Sequence, residues 1–191
     1  MVGLGNPGPQ YERTWHNLGF LAIDRLAGLH GIRVVRPEAQ ALVGFGSIAG
    51  AEVVLAKPQT YMNLSGASVK ALLERHGMAP ENLLLVYDEL ALPWTAVRIR
   101  RRGSSAGHQG VESVIHSLGT GEFARLRLGI YPGHPIGDGA EFVLAPVRRA
   151  LWKQLDELLE QALRAVESIM AEGVEKSMAI FNRRAQGPIE V

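Results

Sequence analysis

One early histidine, one carboxylate and three carboxamides stand in short polar segments where apolar runs break. They are His16 in His16-Asn17, Asp88 in Tyr87-Asp88-Glu89-Leu90, Asn6 in Gly5-Asn6-Pro7-Gly8, Asn63 in Tyr61-Met62-Asn63-Leu64-Ser65-Gly66, and Gln109 in Gly107-His108-Gln109-Gly110. A neutral imidazole takes a proton from water, a carboxylate orients the imidazole, and carboxamides hold a carbonyl or a developing oxyanion. Such a set can activate water against a carbonyl without a metal or a covalent nucleophile, so the chemistry it points to is hydrolysis. Each residue also has an ordinary structural reading: His16 as a surface histidine near a helix start, Asp88 as a turn residue, Asn63 as a helix cap. Residue types alone leave the two readings level.

The elements that would position these groups follow from hydrophobic periodicity. Residues 1–4 read as a strand, short because it starts at Met1, and 17–30 as a helix with Phe20, Ile23 and Ala27 on one face and Gly31 as its stop. Residues 41–48 and 52–56 read as a hairpin, and 62–76 as a helix with Val69, Leu72 and Leu73 inward and Asn63 in its first turn. The run Asn82 to Tyr87 is nearly all apolar, as a central strand buried on both faces would be, and places Asp88 at its carboxyl end. Residues 96–102 alternate as a strand adjacent to it, and Val111, Val114, Ile115 and Leu118 have helical spacing. A strand over 124–131, a turn-rich stretch over 132–139, a long helix after Pro146 striped by Leu151, Leu155, Leu158, Ala162, Val166 and Met170, a short helix beyond Gly173 and a polar end after Arg184 complete the chain.

Strands and helices interleave, while the hairpin argues against a purely parallel sheet. The expectation is an α/β chain over 1–191, a single domain with a mixed, mostly parallel twisted central sheet flanked by helices. In such sheets ligands sit beyond the carboxyl ends of the strands, where Asn6, Asp88 and the 103–108 loop would gather.

With 191 residues, 47% of them hydrophobic, the chain can bury a substantial core. It has no cysteine, which excludes disulfides, cysteine-ligated zinc and a cysteine nucleophile and fits a reducing compartment. No apolar stretch approaches the roughly 20 residues that span a bilayer, so a soluble, cytoplasmic chain is expected with no membrane partner. Nothing demands more than a monomer. The net charge is only +1, but Arg98, Arg100, Arg101 and Arg102 follow one another without an intervening carboxylate, and Arg125 and Arg127 recur later, which predicts a basic patch. His30, His76, His108, His116 and His134 show no i, i+4 pairing, which argues against a histidine-led metal site; no metal and no cofactor are expected.

Two short motifs invite other functions. Gly3 to Gly8 satisfies G-x-G-x-x-G, but Pro7 has no N–H to offer a phosphate and Pro9 delays the helix that should open there, so a tight turn is the better reading. Gly103 to Gly107 satisfies G-x-S-x-G with Ser105 as a candidate esterase nucleophile. No histidine follows Asp138, so a Ser, acid, His order would need Glu112 or Glu122 with His116 or His134; a flexible loop near phosphate is favoured.

Taken together, Gly3 to Gly8, Tyr11, His16 to Phe20, Tyr61 to Gly66, Asp88 to Leu90 and Gly103 to Gly110 resemble the bacterial peptidyl-tRNA hydrolase family, and Arg125 to Ile130 and Phe142 to Leu144 extend the match. The resemblance implies hydrolysis of the ester between a peptide and the terminal ribose of tRNA, with peptidyl-tRNA as partner. It implies that His16 is the general base, Asp88 its hydrogen-bonded partner, and Asn6 and Asn63 the holders of the peptide backbone and ester end. Gln109 would place water or stabilise the oxyanion, Met62 and Tyr11 would line the cleft, and Arg100 and Arg127 would bind phosphate, with Arg98, Arg101, Arg102 and Arg125 as possible helpers.

Three positions depart from the family pattern, which usually has asparagine at Gln109, aspartate at Ala91 and arginine at Trp15. Glutamine carries its amide on a longer stem, and a misplacement of about an ångström can cost about a hundredfold in rate. Ala91 and Trp15 are expected to touch the shell of the site or the surface rather than the His16–Asp88 pair, although Trp15, beside His16, could alter access to the cleft. Two other functions stay in view: a noncatalytic RNA-binding relative, which Gln109 would favour, and a small-molecule serine esterase using Ser105.

Overall fold

Apolar runs of this chain become the strands of one seven-stranded sheet in a computed structural model that describes residues 1–184. In chain order the elements are β1 (Val2–Gly3), α1 (Leu18–Leu29), β2 (Arg36–Glu38), β3 (Ala41–Ile48), β4 (Ala51–Pro58), α2 (Ser65–Arg75), β5 (Leu84–Pro93), β6 (Val97–Arg100), α3 (Gln109–Leu118), β7 (Ala124–Tyr131), α4 (Gly139–Leu144), α5 (Trp152–Glu172) and α6 (Val174–Arg184). The sheet order is β2-β3-β4-β1-β5-β7-β6. The central strands β4, β1, β5 and β7 run parallel, and β2, β3 and β6 pair antiparallel at the two sides. The sheet is thus mixed, with helices flanking it.

β5 shows how sequence period becomes burial. Its alternate residues Leu84 and Val86 enter the core shared with α1 and α5, while Leu85 and Tyr87 enter the core shared with α2 and α3. Asp88 has the parity of Leu84 and Val86, so it faces α1. The other core is closed by Val69 and Leu72 of α2 and Val111 and Val114 of α3.

α1 is set against the strands by a close backbone approach. A Cβ on Gly19 would lie 2.4 Å from both Leu4 N and Val86 O. The same contact gives the first turn of α1 a partner, since Phe20 N donates to Leu4 O at 3.2 Å and Leu4 N to Val86 O at 2.9 Å. Gly19→Ala is expected to destabilise the protein by about 1–3 kcal/mol through forced backbone shifts, read as a lower urea midpoint. An unchanged midpoint would show that α1 can move off the strands without loss.

Several expectations need correction. β6 does not pair with the preceding strand; β7 is inserted between β5 and β6 and pairs with both. β5 runs on to Pro93, so Asp88 lies inside it, at the end of its regular pairing with β7, just before a register shift between Glu89 and Pro93. Residues 62–64 form a 3-10 turn ahead of α2 and carry Asn63. β2 and α4 have no sequence counterpart: β2 is a three-residue edge strand containing Pro37, and α4 is six residues long, too short to show a period. The polar end after Arg184 lies outside the described residues. No described helix is long and apolar enough to cross a membrane.

Candidate active site

The loop after β1, the turn before α1, the turn before α2, the end of β5 and the start of α3 converge on one cavity of about 520 Å³. Asn6, Tyr11, His16, Met62, Asn63, Asp88 and Gln109 all line it. Arg100 and Arg127 do not.

Asn6 is fixed by three bonds. Its backbone N–H donates to Asn17 Oδ1 at 2.8 Å, its carbonyl accepts from Asn17 Nδ2 at 2.9 Å, and its Oδ1 accepts the Met62 N–H at 2.8 Å. With Oδ1 committed, Asn6 Nδ2 is the donor left for the cleft. Asn63 and Gln109 are exposed on the cavity wall. Gln109 is the first residue of α3, where the helix dipole favours negative charge.

His16 and Asp88 are both buried, and His16 Nδ1 lies 3.0 and 3.1 Å from the two Asp88 carboxylate oxygens. An ionised carboxylate only accepts, so Nδ1 carries the proton and Nε2 keeps a lone pair. Sequence reasoning missed a third member. His108 caps α3, its Nδ1 accepting from Gly110 N and Val111 N at 3.1 and 3.3 Å, which leaves Nε2–H to donate to Asp88 Oδ1 at 3.1 Å. The signal for it was its place just before the apolar period of α3. Burial works against ionising Asp88, but the histidines outweigh it, His108 before His16, and hold the carboxyl well below the usual carboxylate range.

Ligand atoms of His16, Asp88 and His108 all lie within 4.8 Å of one another, a spacing that invites a cation. The tautomers do not fit one. A neutral His108 ligating through Nε2 would carry its proton on Nδ1, against two backbone N–H groups. Ser105 has no histidine partner among the described residues: its Oγ accepts only a long 3.4 Å contact from Gly107 N.

The arginine run separates into distinct environments. Arg101 and Arg102 pair with Glu175 at 3.1 Å and Glu122 at 3.5 Å. Arg125 is buried and donates to the carbonyls of Gly103, Ser104 and Gly121, which ties down the 103–104 loop. Arg127 is paired to Glu89 Oε2 through Nε at 2.8 Å and Nη2 at 2.5 Å. Arg98 and Arg100 have no carboxylate partner among the described residues. Burial first, and then repulsion from Arg100 and Arg127, lowers the Arg98 pKa.

A mixed α/β sheet thus carries a hydrogen-bonded histidine and carboxylate in a carboxamide-lined cleft, with two unpaired arginines among the described residues on an edge strand of the same sheet. The peptidyl-tRNA hydrolase family model matches residues 1–188, and the chain belongs to that family. A peptidyl-tRNA hydrolase of Solibacter usitatus (strain Ellin6076) is 57% identical over 98% of this chain and 95% of the relative. One of Koribacter versatilis (strain Ellin345) is 48% identical over 98% and 94%. The crystal structure of peptidyl-tRNA hydrolase from Acinetobacter baumannii is 33% identical, with a TM-score of 0.87 over 95% of this chain and 92% of that one.

Proposed function

We infer that this chain hydrolyses the ester joining a peptide to the 3′ ribose of tRNA. The observation that carries the reading is the His16–Asp88 contact inside a cleft lined by three carboxamides, in a chain of this family. His16 Nε2 takes a proton from water as it attacks the ester carbonyl, and the imidazolium so formed is stabilised by Asp88 through Nδ1–H. Collapse of the tetrahedral intermediate returns that proton to the ribose oxygen, which leaves as an alcohol. An alkoxide is a better leaving group than an amide nitrogen, so one neutral histidine suffices. Asn6 and Asn63 hold the peptide carbonyls and the ester end, Gln109 places the water or the oxyanion, and Tyr11 and Met62 shape the wall.

Arg98 and Arg100, with Arg127 held by Glu89, form the surface for tRNA phosphates. Arg100→Ala is expected to reduce the salt slope of tRNA binding by about 1, with kcat unchanged. An unaltered slope would remove Arg100 from the phosphate surface. We place this activity in the cytoplasm, with the chain acting as a monomer.

The deciding experiment is release of N-blocked peptide from peptidyl-tRNA by the intact protein, with EDTA present. Turnover supports the reading, and tRNA binding without turnover would replace it with a noncatalytic RNA-binding role.

A further inference from the structure

α4 supplies Gly139, Ala140, Val143 and Leu144 to the cleft wall, yet it cannot hold that position alone. It has six residues, none of them fully buried. A single turn or two of helix is unstable in isolation and takes its order from its contacts. Those contacts come from the segment that carries the catalytic histidine.

Trp15, only 6% exposed, lies nearly parallel to Phe142 of α4, with ring centroids 5.4 Å apart and planes inclined by 16°. It meets Trp94 in a T-shaped contact, with ring centroids 4.9 Å apart and planes at 87°. Trp94 is itself anchored, its backbone N donating to Tyr131 O at 2.8 Å and its Nε1 to Gln154 Oε1 at 2.7 Å. The chain just beyond α4 is stitched to the same segment: Trp15 N donates to Ala145 O at 3.3 Å, Val147 N to Arg13 O at 2.8 Å, and Thr14 bridges Pro146. Trp15 therefore lies between a fixed aromatic and a helix that has no other aromatic stacking partner among the described residues, one residue from His16.

We propose that Trp15 is a positioning residue that sets the distance between the α4 wall and the His16–Asp88 couple, and thereby the fit of the aminoacyl end of the substrate. The proposal rests on the hydrolase reading given above. It assigns no proton transfer to Trp15. Offset-stacked and edge-on aromatic contacts both favour a defined geometry, so the tryptophan fixes a wall that the short helix would otherwise leave loose.

The test compares the parent protein with Trp15→Ala, Trp15→Phe and Phe142→Ala in steady-state hydrolysis of peptidyl-tRNA, together with hydrogen exchange of the α4 amides. Trp15→Ala is expected to raise KM about tenfold while kcat falls less than about threefold, and to speed exchange in α4. Trp15→Phe, which can still stack on Phe142, should stay within about threefold of the parent in KM. Phe142→Ala should reproduce the KM effect, and combining it with Trp15→Ala should add little more, as coupled residues do. Should Trp15→Ala fail to fold, Phe142→Ala and the exchange data carry the test alone. A folded Trp15→Ala or Phe142→Ala with the parent's KM and α4 exchange would overturn the proposal, as would loss confined to kcat. Failure of the parent itself to release peptide overturns the hydrolase reading instead, and the exchange measurement still decides whether Trp15 holds α4.

Discussion

His16→Ala is expected to lower the rate of peptide release by about 10²–10⁴-fold, the range a positioned general base contributes, while tRNA affinity stays near the parent's. The two effects separate because His16 touches Asp88 and the cleft, whereas the cationic surface lies on β6 and β7. Loss of the ring removes the Nε2 lone pair that takes the water proton in the proposed mechanism. Asp88 keeps its second partner, His108 at 3.1 Å, so its buried charge is not abandoned and the fold should survive. Single-turnover release beside a tRNA-binding titration reads both quantities. Activity within tenfold of the parent would mean that another group activates the water.

Asp88→Asn should cost about as much, about 10²–10⁴-fold in kcat, for a different reason. An amide in place of the carboxylate can set an N–H where Oδ2 now lies, 3.1 Å from His16 Nδ1. That arrangement favours a lone pair on Nδ1 and a proton on Nε2, the tautomer that cannot take a proton from water. It also leaves the imidazolium of the transition state without a counter-charge. Stability carries a second signature. The carboxyl is held below its unfolded value of 3.8, so its contribution is fully present above that pH and is lost as pH falls through the lower folded value. The stability difference between parent and Asp88→Asn should therefore narrow in acid. A constant difference from neutral pH down to pH 2 would show that Asp88 is not held ionised by its histidines.

Much of this site was legible because its residues sit where periodicity breaks. The strands over 41–48 and 124–131 match β3 and β7, and the stripe from Leu155 to Val166 is the buried face of α5. Asn6, Asp88 and the loop before α3 do gather around one cavity, although Asp88 reaches it from within β5 rather than from beyond its end. Partnerships across the sheet were not legible. Arg101 finds Glu175 and Arg102 finds Glu122 only after α6 and the loop before β7 are in place, so a run of arginines read as one basic patch divides into paired and unpaired members. His108 escaped notice for the same reason, since its two functions, capping α3 and donating to Asp88, belong to different length scales. The position of β6 outside β7 likewise depends on a crossover that adjacency in sequence cannot show.

The central place of β1 has a consequence for the order of assembly. Its partners are Ala56 on one side and Leu85 and Val86 on the other, so the earliest strand of the chain cannot be paired on both edges until β5 exists. The His16–Asp88 contact inherits the delay, because the two residues are 72 apart in the chain. Closing so long a loop must precede any reward from the contacts it brings together, which makes such topologies slow relative to locally paired ones. A partly made or partly folded chain therefore has the histidine and the carboxylate without the contact between them, and the proposed site is assembled with closure of the sheet rather than with any one of its parts.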